Sequence, residues 1–240
     1  LNKSRDYFNE RIGTDSYDIG HVLGNTSFGG VAWLFGACEH YYKARGVSGS
    51  DQPDNDYFVK LVLHELGHQL GASHSFNGNI GSCEYNRDSR VGGVEPGSGT
   101  TLMSYAGKCQ LQNLQTERDM YFHYVSIQEM RAFLEESGCG NVVELNNNNP
   151  LVIEDLSSYI IPISTPFKLK AEIMDPNDDA ILVSWEQIDT GLQYPVPEST
   201  NTGGPLFRSV YPSESSERFF PKKTTLSNGQ ISNRWEVLPE

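Results

Sequence analysis

The chain has 240 residues, 37% of them apolar, enough for one large domain or two modest ones around real cores. Its net charge of −13 argues against nucleic acid or anionic membrane surfaces as partners, because both repel such a chain. No run of about eighteen apolar residues occurs, so no membrane-spanning helix is expected.

In chain order, Tyr7, Phe8 and Ile12 fall at helical spacing over residues 4–12, and Gly13 follows as a stop signal. Residues 17–23 read as a short strand and residues 30–38, apolar and bounded by glycine, as another. His21 and His40 lack ligand spacing and are expected as polar residues at strand ends. Residues 51–56 form an acidic loop in which Asp54 or Asp56 can cap the next helix. Calcium is the further cofactor such a loop suggests, but no calcium-loop spacing is met, so a solvated cap is the preferred reading. Phe58, Val59, Leu61, Val62, Leu63, Leu66 and Leu70 then make a helix apolar around most of its circumference, a helix that runs through the middle of a domain.

On that helix His64 and His68 sit four apart and project from one face, close enough for two imidazole nitrogens to reach one metal ion. Glu65 lies beside them. Gly71 tolerates the left-handed conformation that ends a helix and turns the chain, which brings His74 back to the same point. Three neutral histidines leave one tetrahedral position open for water, the difference between a catalytic zinc site and a closed structural one. Five fixed positions of these types make coincidence a weak explanation.

Residues 75–101, rich in Gly, Asn and Ser, predict a long irregular segment with Cys83 as an anchor. Ser126 and Glu129 form a capping box, and Ile127, Met130, Phe133 and Leu134 line one face of a helix that Gly138 ends. Asn146, Asn147, Asn148, Asn149 and Pro150 read as a linker. Beyond it Phe167, Leu169, Ala171 and Ile173 alternate, a turn-rich stretch intervenes at 175–179, and Ile181, Val183 and Trp185 alternate again, a hairpin-like pair of half-buried strands. From Gln187 onward the composition is mostly Ser, Thr, Gly, Pro and Glu, too poor in apolar residues for another layer and short of the roughly seven strands of a sandwich. The four cysteines, Cys38, Cys83, Cys109 and Cys139, are even in number and lack Cys-x-x-Cys spacing, which favours two disulfides and an oxidising compartment over free thiols.

The stretch His-Glu-x-x-His-x-x-Gly-x-x-His from His64 to His74, followed by Met103, resembles the metzincin clan of zinc endopeptidases, with Met103 similar to the methionine of the clan's Met-turn. Gly30, Val31, Ala32, Trp33 and Leu34, leading to Cys38, resemble the substrate-binding edge strand of reprolysins (adamalysins). Glu95-Pro96-Gly97-Ser98-Gly99 is similar to bacterial reprolysin-like secreted peptidases. The resemblance implies an α+β catalytic domain over residues 1–145, with a zinc helix, mixed sheet, Met-turn and C-terminal helix, and with its N-terminal strands missing. A β-rich, immunoglobulin-like and incomplete segment over 151–240 would follow, so the chain is expected to be part of a longer one that starts before Leu1.

The implied activity is a secreted, extracellular zinc-dependent endopeptidase acting on protein or peptide substrates, with Zn2+ on His64, His68 and His74 and Glu65 as general base. Reprolysins also imply a Cys38–Cys139 disulfide, which leaves Cys83–Cys109 to bracket the loop carrying the Met-turn. Reprolysins carry Asp after the third histidine, whereas Ser75 stands here, as in matrixins. Tyr105, two residues past Met103, matches a tyrosine that approaches zinc in serralysins and astacins; it reads either as an oxyanion donor or as a core aromatic. The rival class is a zinc-containing adhesion module that binds without cutting. Such relatives lose the base or a ligand, and this chain keeps Glu65 and all three histidines.

Overall fold

The computed structural model describes residues 1–88, 93–153, 158–192 and 194–240, so positions 89–92 of the expected irregular segment lie outside the described residues. The chain packs as two compact units. The first comprises Leu1–His74, Thr101–Met103 and Glu117–Val142, the second Ser75–Thr100, Ser104–Thr116 and Val143–Glu240.

The first unit opens with helix α1 (Asn2–Arg11), which stops ahead of Gly13 as its spacing predicts. Strands β1 (Val22–Gly24), β2 (Gly29–Ala32) and β3 (Gly46–Gly49) form one sheet in the order β1-β3-β2, with β1 parallel and β2 antiparallel to β3. The strand expected at 17–23 thus starts only at Val22, and the one expected at 30–38 stops at Ala32, short of Trp33 and Leu34. The middle strand β3 has no counterpart among the expected elements, because Gly-Val-Ser-Gly carries no alternation to read. It exists because it is paired on both sides, a non-local cause. Its first residue, Gly46, also lets the next helix approach closely, since a Cβ there would overlap the Gln69 amide, 2.7 Å from Cδ.

That helix, α2 (Asp56–Gln69), is capped by Asn55, whose Oδ1 accepts the Phe58 N–H at 2.9 Å, rather than by Asp54 or Asp56. Helix α3 (Tyr124–Ser137) likewise departs from the expected capping box. His123 is the cap, its Nδ1 accepting the Val125 N–H at 3.1 Å, so Ser126 falls inside the first turn. Glu129, freed from capping, accepts the Ser73 N–H at 2.9 Å. Gly138 ends α3 in the left-handed conformation at φ 61°, and Cys139 just beyond it is disulfide-bonded to Cys38, with Cα atoms 5.6 Å apart.

In the second unit, β4 (Leu151–Val152) pairs with β6 (Ile173–Met174) and β5 (Phe167–Lys170) with β7 (Glu217–Phe220), both antiparallel, and α4 (Lys223–Ser227) follows. Two two-stranded sheets with isolated bridges stand where an incomplete immunoglobulin-like segment is expected. The expected hairpin does not form, since β5 takes the distant β7 as partner and Val183 makes only a bridge to Ser213. The stretch after Gln187, expected to add no layer, supplies the buried residues of one hydrophobic cluster of this unit, Leu206, Phe207, Phe220 and Leu238, with Phe167, Leu169 and Trp185 packed against them. A few large side chains spaced far apart suffice here where density along the chain does not. Arg218 and the buried Glu236 form an ion pair at 3.0 Å across this core, and Glu236 also accepts the Lys222 N–H at 3.0 Å.

Candidate metal centre

Helix α2 carries His64 and His68 on one face, and its C-terminal turn delivers the third histidine. The Ala72 N–H bonds back to the Gly67 carbonyl at 2.8 Å and the Gly71 N–H to the His68 carbonyl at 2.9 Å, with Gly71 at φ 99°. This 6→1 and 5→2 pair is a Schellman turn, and glycine is what allows it. A Cβ on Gly71 would also lie 2.8 Å from the Phe35 ring, so the turn packs too closely for a side chain.

The three Nε2 atoms converge. His64 and His68 are 3.2 Å apart, His68 and His74 3.1 Å, and His74 and His64 3.3 Å. Ligands bonded at about 2.0–2.1 Å in a tetrahedron stand about 3.3 Å from one another, so this spacing fits one zinc ion. The orientation fits too. His64 donates from Nδ1 to the Leu102 carbonyl at 2.7 Å and His68 from Nδ1 to the Ala72 carbonyl at 2.8 Å, which turns both Nε2 lone pairs to the common point. Burial holds His64 well below the ordinary histidine value, with the positive charge of Arg118 adding to it, and burial pushes His68 down to about 4. Both rings are therefore neutral ligands at neutral pH. Among the described residues this is the one group of three His, Cys, Asp or Glu side chains that converges on a metal-sized point, and the acidic loop at 51–56 makes none.

Glu65, the residue after His64, is buried, and burial pushes its carboxyl up to about 7, opposed by the Arg118 charge. Strand β2 passes directly over it: a Cβ on Gly30 would lie 2.6 Å from the Glu65 Cγ, so only glycine lets the strand come this close. β2, like β1, is an outer strand of its sheet, and Val31 on it is exposed. Trp33, past the strand's end, still bonds through its N–H to the Arg45 carbonyl at 2.8 Å, while Leu34 is half-buried in the turn beyond.

Met103 is fully buried, and a Cβ on Gly67 would lie 2.6 Å from its Sδ, which places the methionine against the turn of α2 that carries His68. Two anchors that spacing alone does not reveal hold the same helix. His21 faces the Gln69 Oε1 at 2.7 Å and the Ser48 Oγ at 3.0 Å, while the Gln69 Nε2 donates to the Gly20 and Lys43 carbonyls. Since those carbonyls fix the Gln69 amide, His21 donates from Nδ1 and accepts the Ser48 hydroxyl at Nε2. At the other end Lys60 pairs with Glu117 at 3.3 Å, next to Arg118.

Within the second unit, Ser75 donates its hydroxyl to the buried Glu95 at 2.6 Å, and Glu95 also accepts the Thr100 N–H at 2.8 Å. The Tyr105 ring stacks on Phe76 at 4.7 Å, packed with the Cys83–Cys109 disulfide, whose Cα atoms are 5.2 Å apart.

The model of the metallo-peptidase family M12B, reprolysin-like, matches residues 1–132. No curated protein matches the chain significantly. With more than half of the sequence covered and a three-histidine zinc group in place, the chain belongs to the reprolysin-like M12B metallopeptidases and is a zinc metalloendopeptidase.

Proposed function

We propose that this chain is a secreted endopeptidase that cuts extended peptide segments laid along β2, with Glu65 as the general base. The observation that carries the reading is the contact geometry of Gly30 and Glu65: the strand comes against the carboxylate that directly follows the first ligand, His64, on α2. When bound, zinc supplies a Lewis acid that polarises the scissile carbonyl and makes a water nucleophilic near neutral pH. The β2 edge holds the substrate main chain by strand pairing, which suits many sequences. Glu65 takes the proton of the attacking water on a carboxylate oxygen and hands it to the leaving amine. Burial raises this carboxyl in the metal-free chain, and a bound cation would draw it back toward the carboxylate form that accepts the proton. His64, His68 and His74 hold the ion, the Leu102 and Ala72 carbonyls hold two of the rings, and Met103 packs beneath them as the Met-turn residue. The stacking of Tyr105 on Phe76 supports a packing role for it over that of an oxyanion donor. The two disulfides, with no free cysteine, support an extracellular setting, and no helix among the described residues is long and apolar enough to cross a membrane.

Hydrolysis of casein or a quenched peptide by the zinc-loaded chain tests the reading. Cleavage that stops with a chelator and returns with zinc is expected; binding of the same peptides without cleavage would favour the adhesion reading instead.

A further inference from the structure

On the sheet of the first unit, the positions facing helix α2 are those where an added Cβ would strike it, Gly30 against Glu65 and Gly46 against Gln69. Side chains alternate along a strand, so Val31 and Trp33 face the other way, and Arg45, opposite Trp33 in the β2–β3 register, joins them. On that side Arg45 is enclosed by aromatic rings. Its Cζ lies 4.3 Å from the Tyr41 ring, 5.0 Å from Tyr42 and 5.1 Å from Trp33, and Trp33 and Tyr42 are stacked at 4.4 Å. Arg5 from α1 lies 4.3 Å from the Tyr41 ring as well, and Lys43 lies 4.7 Å from Tyr17.

Arg45 is 7% exposed, its Nε is buried without a hydrogen-bond partner, and it forms no ion pair among the described residues. Lys43, also 7% exposed, has no ion pair either, and Arg5 has only its neighbour Asp6. Among the described residues, Asp6 is thus the one carboxylate paired with any of these three cations, in a chain of net charge −13. Arg45 also hydrogen-bonds the Tyr41 phenol; a neutral phenol and aromatic faces offset the desolvation of a buried guanidinium only in part, and an anion completes the compensation.

We infer that Arg45, with Arg5 and the Trp33–Tyr41–Tyr42 rings, forms a subsite that takes a carboxylate side chain of the substrate. The place of that side chain follows from the register and rests on the proposed use of the β2 edge. A peptide paired antiparallel to β2 runs toward its own N-terminus as β2 runs from Gly30 to Trp33, three residues or about 10 Å along. The selected acidic residue therefore lies about three residues to the amino side of the cleaved bond.

The test is equilibrium binding, which does not require turnover. Labelled peptides of one sequence, with Glu, Gln or Lys placed two, three or four residues before the scissile bond, are titrated by fluorescence anisotropy into the zinc-loaded Glu65→Ala chain and, for cleavage, incubated with the parent chain. At one of the three positions Glu is expected to bind about tenfold tighter than Gln, with Lys weakest and the Glu advantage shrinking as salt rises. Arg45→Gln should bring Glu down to Gln while leaving the Gln peptide unchanged, and Arg45→Lys should restore part of the preference. Equal binding of Glu and Gln peptides by the chain carrying Arg45 overturns the inference whether or not any variant folds, as does a Glu preference that survives Arg45→Gln. Failure of the parent chain to cleave, with the Glu preference intact, counts against the proposed function and not against this subsite.

Discussion

Between residues 56 and 74, one helix and the turn after it bring three histidines to one point, and two of the rings are held through Nδ1 by the Leu102 and Ala72 carbonyls. Between residues 167 and 238, the core comes from Phe167, Leu206, Phe207, Phe220 and Leu238, drawn from separate segments and tied by the buried Arg218–Glu236 pair. The first region is specified by close spacing, so a change there should strip function and spare the fold. The second is specified by distant pairing, so a change there should cost stability.

The largest effect is expected in the first region. His68→Ala removes a ligand at the middle of the cluster, and we expect zinc content to fall to near zero and hydrolysis with it, while the far-ultraviolet circular dichroism of the chain stays close to the parent's. Loss of fold together with metal would show that the site is structural in its own right and would erase the contrast.

The counterpart in the second region is Glu236→Ala. It leaves the Arg218 guanidinium buried without its carboxylate and orphans the Lys222 N–H, a cost of ~3 kcal/mol of unfolding free energy read by denaturant titration. A change within a few tenths of the parent would mean that the distant pairing does not hold this unit.

A smaller effect is expected from pH on the metal-free chain. His64 and His68 are lowered by burial, so they contribute stability that is present above the unfolded value of 6.5 and is lost as pH falls, for His68 through about 4. Glu65, raised to about 7, has the opposite sign: its contribution is present below its unfolded value of 4.5 and is lost as pH rises through 7. Two histidines outweigh one carboxyl, so thermal scans in chelator should show the midpoint falling from pH 6.5 toward pH 4. A midpoint that rises on acidification would contradict neutral, buried ligands. The smallest effect is expected at Tyr105: Tyr105→Phe preserves the stack on Phe76, and kcat should stay within about twofold of the parent, whereas a loss of ~10²-fold would mark the phenol as an oxyanion donor.

The same contrast explains what could be read from the residues. Spacing shows His64, Glu65, His68, Gly71 and His74 because all lie within one helix and its turn, where period and turn chemistry are local. The glycine–valine–serine–glycine strand β3 has no pattern of its own and is a strand only through its two partners. Asn55 and His123 displace the expected caps by one and three residues, because capping depends on which residue takes up extended φ and ψ before the helix. The partnership of β5 with β7 spans some fifty residues, and no periodicity joins Phe167 to Phe220. Arg118 and His21 belong to no motif, and only the folded chain puts the charge of one near Glu65 and the ring of the other on Gln69.

The central claim is that Glu65 moves the proton while the histidines alone hold the metal. Zinc content and peptide hydrolysis measured side by side on Glu65→Ala test it most directly. One zinc per chain, as in the parent, with kcat/KM lower by at least ~10³-fold is the predicted result. A variant that keeps its zinc and cleaves at the parental rate would contradict the account.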